Sequence, residues 1–244
     1  MKAVITAGGR IEGAFAEAAG TSVKALAPIR GVTMLERILE AARGAGATRI
    51  AVVGGDEVRA RCGPLIDRFV GESPSGSENL LRALRAWPED GEPLLYATSD
   101  LPYVETRTLA GYVARLPQGA LSIALADLSD FTARFPGAPP AGITLAGERV
   151  VNGGVFSIPG GAAEKIATIA GRLFDARKKP WLMARLVSPL ALFRFVLGRL
   201  GIGDLEAIAQ NALGVPARAV RGCAPELAFD VDTIAEYRYA CNHP

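Results

Sequence analysis

Short apolar runs closed by glycine alternate with stretches whose apolar residues recur every three or four positions. The first run, residues 3–6 (AVIT), predicts a buried strand that enters a tight turn at Gly8 and Gly9. From Met34, Leu35, Ile38, Leu39 and Ala42 keep helical spacing, and Gly44 and Gly46 supply a stop, so a helix is expected over 33–44. RIAVVGG at 49–55 is again a continuous apolar run ended by glycines, which makes strand, helix and strand a βαβ unit. A short helix follows within 56–68. A Gly/Ser/Pro loop then precedes a helix carrying Leu80, Leu81 and Leu84, with Ser77 or Glu78 as its cap. PLLYATSDLPYV predicts a strand with a polar cluster at its carboxyl end, and then a helix from near Glu105 holding Leu109 and Val113, capped by Thr106 or Thr108.

The second half is less regular. ALSIALA from Ala120 predicts a buried strand, residues 127–142 a Pro/Gly-rich loop, and residues 143–159 two short strands around a turn containing Asn152, Gly153 and Gly154. A helix is expected over 161–174. Residues 180–201 are strongly apolar, but Arg185, Arg194 and Arg199 interrupt them and Pro189 breaks them, so a helix packed on the sheet is preferred to a membrane span. Contact with a membrane or a lipid-like substrate is the lesser reading of the same segment. ELAFDVDT predicts a closing strand whose Asp230 and Asp232 share a face, and IAEYRYA a terminal helix that Asp232 or Thr233 could cap. The pattern predicts one α/β domain over 1–244, with an apolar helical insertion around 175–215.

Composition narrows the function. With 244 residues, 50% of them hydrophobic, the chain can bury a large core, and a net charge of +2 without a basic block excludes a nucleic-acid partner from the leading readings. Cys62, Cys223 and Cys241 are scattered and form no C-x-x-C pair, which indicates neither a disulfide framework nor a zinc site; a reducing cytoplasm and no targeting segment are expected. The single histidine, His243, lies at the frayed end of the chain, so chemistry that needs a histidine base or ligand is disfavoured. Only five of the 27 basic residues are lysines. Lys24, downstream of the glycine turn and Arg10, therefore stands out as a point charge suited to phosphate. Asp100 sits at the carboxyl end of a predicted strand, where open α/β sheets bind ligands and where carboxylates serve metals.

An AGG turn after the first strand, a lysine in the frame K-A-L-x-P-I-x-G-x-T-M-L, a strand ending S-D-L-P, an N-G-G turn and a closing F-D-V-D-T together resemble the MobA-like nucleotidyltransferases. These are relatives of the sugar-nucleotide pyrophosphorylases and of the methylerythritol-phosphate cytidylyltransferase. The resemblance implies a Rossmann-like, three-layer α/β/α sandwich with a mainly parallel, mixed sheet. It implies that Ala7, Gly8, Gly9 and Arg10 hold nucleotide phosphates, that Ser77 and Asn79 meet base and ribose, and that Asn152 and Gly153 hold the acceptor. Lys24, Arg10 and Asp100 would be catalytic, with Asp100 and Asp232 binding Mg²⁺. The implied reaction joins a nucleoside monophosphate from a nucleoside triphosphate to a phosphorylated acceptor, such as a sugar phosphate, a cofactor precursor or a polyol phosphate, and releases pyrophosphate. The chain departs from the family pattern at residues 11–23, which lengthen the glycine loop, and in lacking a proline before Lys24. Two other functions fit parts of the pattern. D-V-D also resembles the metal motif of nucleotide-sugar-dependent glycosyltransferases, and the long first loop suits a non-catalytic nucleotide-binding protein. A dinucleotide-binding fold is disfavoured, because no G-x-G-x-x-G follows the first strand.

Overall fold

The computed structural model describes residues 1–88, 90–176, 193–194 and 196–243. Its strands are β1 (Lys2–Thr6), β2 (Pro28–Ile29), β3 (Val32–Thr33), β4 (Arg49–Gly54), β5 (Arg68–Gly71), β6 (Leu94–Thr98), β7 (Leu121–Asp127), β8 (Ile143–Leu145), β9 (Glu148–Ile158) and β10 (Ala217–Val220). Eight of them form one sheet in the order β10-β7-β9-β6-β1-β4-β5, with β8 added beside β9. β1 runs parallel to β4 and β6, β4 to β5 and β7 to β10, whereas β9 is antiparallel to β6, β7 and β8. β2 and β3 make a separate antiparallel ribbon. The described helices are α1 (Gly13–Ala19), α2 (Met34–Gly44), α3 (Asp56–Cys62), α4 (Gly76–Leu84), α5 (Thr106–Val113), α6 (Leu128–Arg134), α7 (Ala163–Ala176), α8 (Ile202–Leu213) and α9 (Ile234–Asn242).

The continuous apolar runs have the expected consequence, since a strand flanked by helices on both sides must be apolar on both faces. Ala3 and Ile5 of β1 pack with Leu35, Ile38 and Leu39 of α2 and with Leu109 and Tyr112 of α5. Val4, between them, points the other way and joins Ala51 and Val53 of β4, Ala83 and Leu84 of α4 and Ile166 of α7. The result is a three-layer α/β/α sandwich with a mixed, mainly parallel sheet, as expected. α2 also begins where the pattern places it: the Thr33 hydroxyl accepts from the Glu36 N–H at 3.1 Å while the Glu36 carboxylate accepts from the Thr33 N–H at 3.0 Å.

Several elements differ from expectation. RFVG forms β5, and ARAV forms β10 at the far edge of the sheet; neither strand was expected. α4 is capped by Ser75, one turn earlier than Glu78, because its hydroxyl accepts from the Glu78 N–H. The cap position of α5 is Glu105, whose N–H donates to Thr108 Oγ1 at 3.1 Å. The expected turn at Asn152–Gly154 lies instead within the long strand β9, and the chain reverses at Ala146 and Gly147, both at positive φ. The two inner glycines answer to crowding: a Cβ on Gly153 would lie 2.8 Å from the Leu227 carbonyl oxygen, and one on Gly154 2.4 Å from Thr98 Oγ1. ELAFDVDT is not a strand. Residues Pro225–Leu227 form a 3₁₀ turn, and the chain after it runs past the sheet end with the Val231 N–H donating to the Asp100 carbonyl at 3.0 Å. The helix expected over 180–201 falls largely outside the described residues, among which no helix is long and apolar enough to cross a membrane.

The start of the expected loop at 127–142 is helix α6, and it serves the site. Phe131 and Phe135 pack against Tyr103 and Phe229, with Tyr103–Phe135 and Phe135–Phe229 centroids 4.7 and 4.9 Å apart. Phe229 immediately precedes the acidic pair, so this aromatic cluster fixes where Asp230 and Asp232 enter. Truncating a buried aromatic costs about 3–5 kcal/mol. Phe135→Ala is therefore expected to lower the melting temperature by roughly 10 °C or more in a thermal scan, and an unchanged melting temperature would show that the cluster does not anchor this segment.

Candidate active site

The glycine turn after β1 brings Lys24 to the carboxyl ends of the strands. The Lys24 N–H donates to the Gly9 carbonyl at 2.9 Å, and its side chain lies along Gly9, where an added Cβ would come within 3.3 Å of Cε. From there Nζ reaches Asp100 Oδ2 and Asp232 Oδ1, each at 2.6 Å. Asp100 follows β6, which continues past its last sheet residue through a Ser99 N–H bond to the Thr6 carbonyl at 3.2 Å. Asp232 is held just ahead of α9: the Glu236 carboxylate accepts from the backbone N–H of Asp232 and Thr233 at 2.7 and 2.6 Å. Three distant parts of the chain thus meet at one ammonium group.

The electrostatics follow from this crowding. Burial works against the Lys24 charge, but the two carboxylates, Asp100 foremost, outweigh it and hold its pKa well above the ordinary lysine value. Asp230 shows the opposite balance. The protein around its carboxyl, then Asp100, then Asp232, push its pKa up to about 6. Asp230 also opens to the cleft, so solvent tempers this effect.

A single cleft of about 1210 Å³ contains this group. Gly8, Gly9 and Arg10 form one wall, Asn152 and Gly153 another, and Asp100, Asp230 and Asp232 lie between them. Asn79 also lines it, fixed by accepting from the Ser73 N–H at 2.6 Å and donating to the Ser73 carbonyl at 2.9 Å. Two expected residues stand elsewhere: Ala7 is buried with its N–H on the Val53 carbonyl, and the Ser77 hydroxyl pairs with that of Ser75. Arg10 does not reach Lys24; it pairs with Glu72 at 2.5 Å and Glu57 at 3.6 Å. Glu72 is a charged cleft residue that sequence reasoning missed. It follows β5, and the signal was RFVG, an apolar run closed by glycine like the one in β4. Burial raises its pKa against the pull of Arg10, its Oε2 has no partner among the described residues, and a Cβ on Gly8 would sit 2.3 Å from that atom.

The donor set is compatible with a hard divalent cation, because the converging side chains offer carboxylate oxygens and no sulfur or imidazole. Asp100 supplies a second observation: its Oδ1 is buried without a hydrogen-bond partner among the described residues, an arrangement that costs free energy unless something else meets the atom. Among the described residues no three acidic, histidine or cysteine side chains form a preassembled cage. Lys24 stands between Asp100 and Asp232 in that place. His243 takes no part; its ring stacks on Tyr239 at 4.0 Å.

The glycine turn, the lysine and the strand-end carboxylates converge on one cleft of a mixed, mainly parallel sheet, and the family that shares this sequence is one of nucleotidyltransferases. The chain belongs to the MobA-like NTP transferase domain family, whose model matches residues 3–227. Among solved structures, it is similar to a hypothetical transferase from Thermus thermophilus, with 31% identity over 96% of this chain and 98% of that one and a TM-score of 0.83. A nucleotidyl transferase from Methanothermobacter shares the fold at 21% identity over 99% of this chain and 95% of its own, with a TM-score of 0.60. A Mycobacterium tuberculosis protein solved in complex with manganese does so at 19% identity over 99% and 97%, with a TM-score of 0.52. No curated protein sequence matches the chain.

The raised pKa of Asp230 sets a pH dependence. The native state holds a proton on Asp230 that the unfolded chain has already lost between about pH 4 and 6, so this residue's contribution to stability falls as pH rises through that window and the penalty is complete above about 6. Asp230→Asn removes the penalty. With its open side allowed for, the gain is about 1 kcal/mol at pH 7.5 and near zero at pH 4, read as a melting temperature higher than wild type by roughly 2–4 °C at the upper pH only. An equal gain at both pH values would remove the electrostatic cause.

Proposed function

We propose that this nucleotidyltransferase transfers a nucleoside monophosphate from a nucleoside triphosphate to a phosphorylated acceptor in a Mg²⁺-dependent reaction. An acceptor phosphate oxygen attacks the α-phosphorus, a new P–O bond forms, and the bond from the α-phosphorus to the bridging oxygen breaks, so that pyrophosphate leaves with the electron pair. The observation that carries this proposal is the Lys24 ammonium held 2.6 Å from both Asp100 and Asp232 beside the glycine turn. In this reading the Gly8 and Gly9 backbone approaches the triphosphate, and Lys24 leaves its carboxylates to neutralise charge developing at the α-phosphate. Arg10 exchanges its Glu72 pairing for a phosphate oxygen. Asn79 meets the nucleoside, and Asn152 and Gly153 line the acceptor side.

Asp100 and Asp232 are the proposed holders of the cation, with Asp230 beside them. Bound there, Mg²⁺ would supply charge neutralisation for the phosphate oxygens and the departing pyrophosphate. Loading the cation and the triphosphate together suits the electrostatics, because Lys24 gains a phosphate as it gives up two carboxylates. A phosphate monoester is already ionised near neutral pH. No strong base is required, and catalysis rests on alignment and charge compensation. This accounts for a site without histidine.

The test is pyrophosphate release with each of the four nucleoside triphosphates, with and without Mg²⁺, against a panel of phosphorylated acceptors. Asp100→Ala is expected to abolish Mg²⁺-dependent release while the circular dichroism spectrum is kept; full activity in that variant would overturn the metal assignment. Lys24→Met is expected to lower kcat/KM roughly 100-fold, equivalent to about 3 kcal/mol of transition-state stabilisation. A loss below about threefold would leave Lys24 as a structural ion-pair partner only.

A further inference from the structure

The cleft does not end at the charged group. Its inner part is lined by Leu80 of α4, Tyr96 of β6, Leu121 of β7, Phe156 of β9, Ile166 of α7 and Leu213 of α8. None of these side chains is charged. The one polar tip, the Tyr96 hydroxyl, is engaged by Thr6 Oγ1 at 3.0 Å where the arm meets the polar mouth. Tyr96 and Phe156 are paired neighbours on adjoining strands, their rings edge to face at 5.8 Å. Large apolar residues on the central strands of a helix-covered sheet are ordinarily sealed. Here Leu80, Tyr96, Leu121 and Phe156 are only half-buried.

Strand periodicity fixes where this arm lies. Tyr96, Thr98 and Asp100 are spaced by two, so the arm begins on the same face of β6 as Thr98 and runs inward from the strand end. Four residues at about 3.3 Å each put Tyr96 roughly 13 Å from Asp100. A sugar or polyol placed in the arm would leave its hydroxyls without partners, at a cost of about 1–3 kcal/mol each. The nucleoside has a better place at the polar wall formed by Glu72, Ser73 and Asn79. A volume of about 1210 Å³ exceeds the roughly 300–1,000 Å³ typical of a site for one small molecule, which leaves room for a second substrate.

We propose that the apolar arm binds the tail of the acceptor, so that the acceptor is a phosphate monoester carrying an apolar chain, of the lipid-phosphate kind, with its phosphate at the Lys24–Asp100 end. This rests on the nucleotidyl-transfer function proposed above. The reaction balances as before: the tail-bearing phosphate oxygen bonds to the α-phosphorus, pyrophosphate departs, and the product is a nucleoside diphosphate ester of the apolar alcohol. Such a product belongs to reaction sequences in which a kinase or phosphatase supplies the lipid phosphate and a later transferase uses the activated headgroup.

The probes are ethyl, butyl, hexyl and octyl phosphate, used as monomers and measured by titration calorimetry and as acceptors in the pyrophosphate assay, with glycerol phosphate and glucose 1-phosphate as polar comparators. Each buried methylene is worth roughly fourfold in affinity, so the four further methylenes of octyl phosphate are expected to make it bind roughly 250-fold more tightly than butyl phosphate. Leu80→Trp, which fills the arm without introducing a charge, is expected to erase that increment while leaving ethyl phosphate binding unchanged. Phe156→Leu provides a second variant with a milder effect in the same direction. Equal binding across the series, or an increment that survives Leu80→Trp, overturns the proposal. Pyrophosphate release with polar acceptors but no dependence on chain length overturns the tail site and leaves nucleotidyl transfer standing. Chain-length-dependent binding with no release from any nucleoside triphosphate does the reverse.

Discussion

A single ammonium group held between two carboxylates at the rim of a mainly parallel sheet is the constraint around which this molecule is arranged. Lys24 is largely buried, as is Asp100, and a buried charge is tolerated only when its partners are in place. The requirement reaches far along the chain. Gly9 must lack a side chain for the lysine to lie along it, its carbonyl must accept from the Lys24 N–H, and β6 must extend to Asp100. The segment before α9 must cross the sheet end so that Asp232 arrives from the opposite side. Removing any one partner strands the others, which makes the site an exacting check on correct assembly.

The same arrangement carries an unresolved surplus of negative charge. Asp230 lies beside Asp100 and Asp232, and burial first, then the charge of these two neighbours, raises its pKa. Asp100 Oδ1 and Glu72 Oε2 are buried without partners among the described residues, and Arg10 is occupied by carboxylates. Natural proteins keep such arrangements at sites where a ligand completes them, at some cost to stability. On the proposed function, a cation and a triphosphate complete this one together, since each supplies the charge that the other's residues lack.

Much of the fold was legible because it follows from local rules. The buried runs of β1 and β4, the helical spacing of α2 and the strand ending in Ser99–Asp100 are fixed by periodicity and glycine stops, and they already place Lys24 and Asp100 at one sheet edge. Family resemblance added Asp232, Asn152 and Gly153 to the cleft. What was missed shares a physical cause. RFVG and ARAV are four residues long, too short for periodicity to declare them, and they become strands only because β4 and β7 offer free edges. LSDFTAR looks like a polar loop until Phe131 and Phe135 find Tyr103 and Phe229. FDVDT alternates like a strand but has no strand beside it, so its backbone is taken up by Asp100 and Glu236 instead.

The sequence by itself therefore determined an α/β domain, the glycine turn and the candidate charges, because periodicity, backbone freedom at glycine and residue scarcity are properties of neighbours along the chain. Tertiary structure alone decided which charges meet. It paired Lys24 with two aspartates 76 and 208 positions away, turned Arg10 toward Glu72, and left an apolar arm open behind the charged mouth. Those outcomes depend on the close approach of segments remote in sequence, and short-range pattern carries no information about such approaches until the sheet has formed.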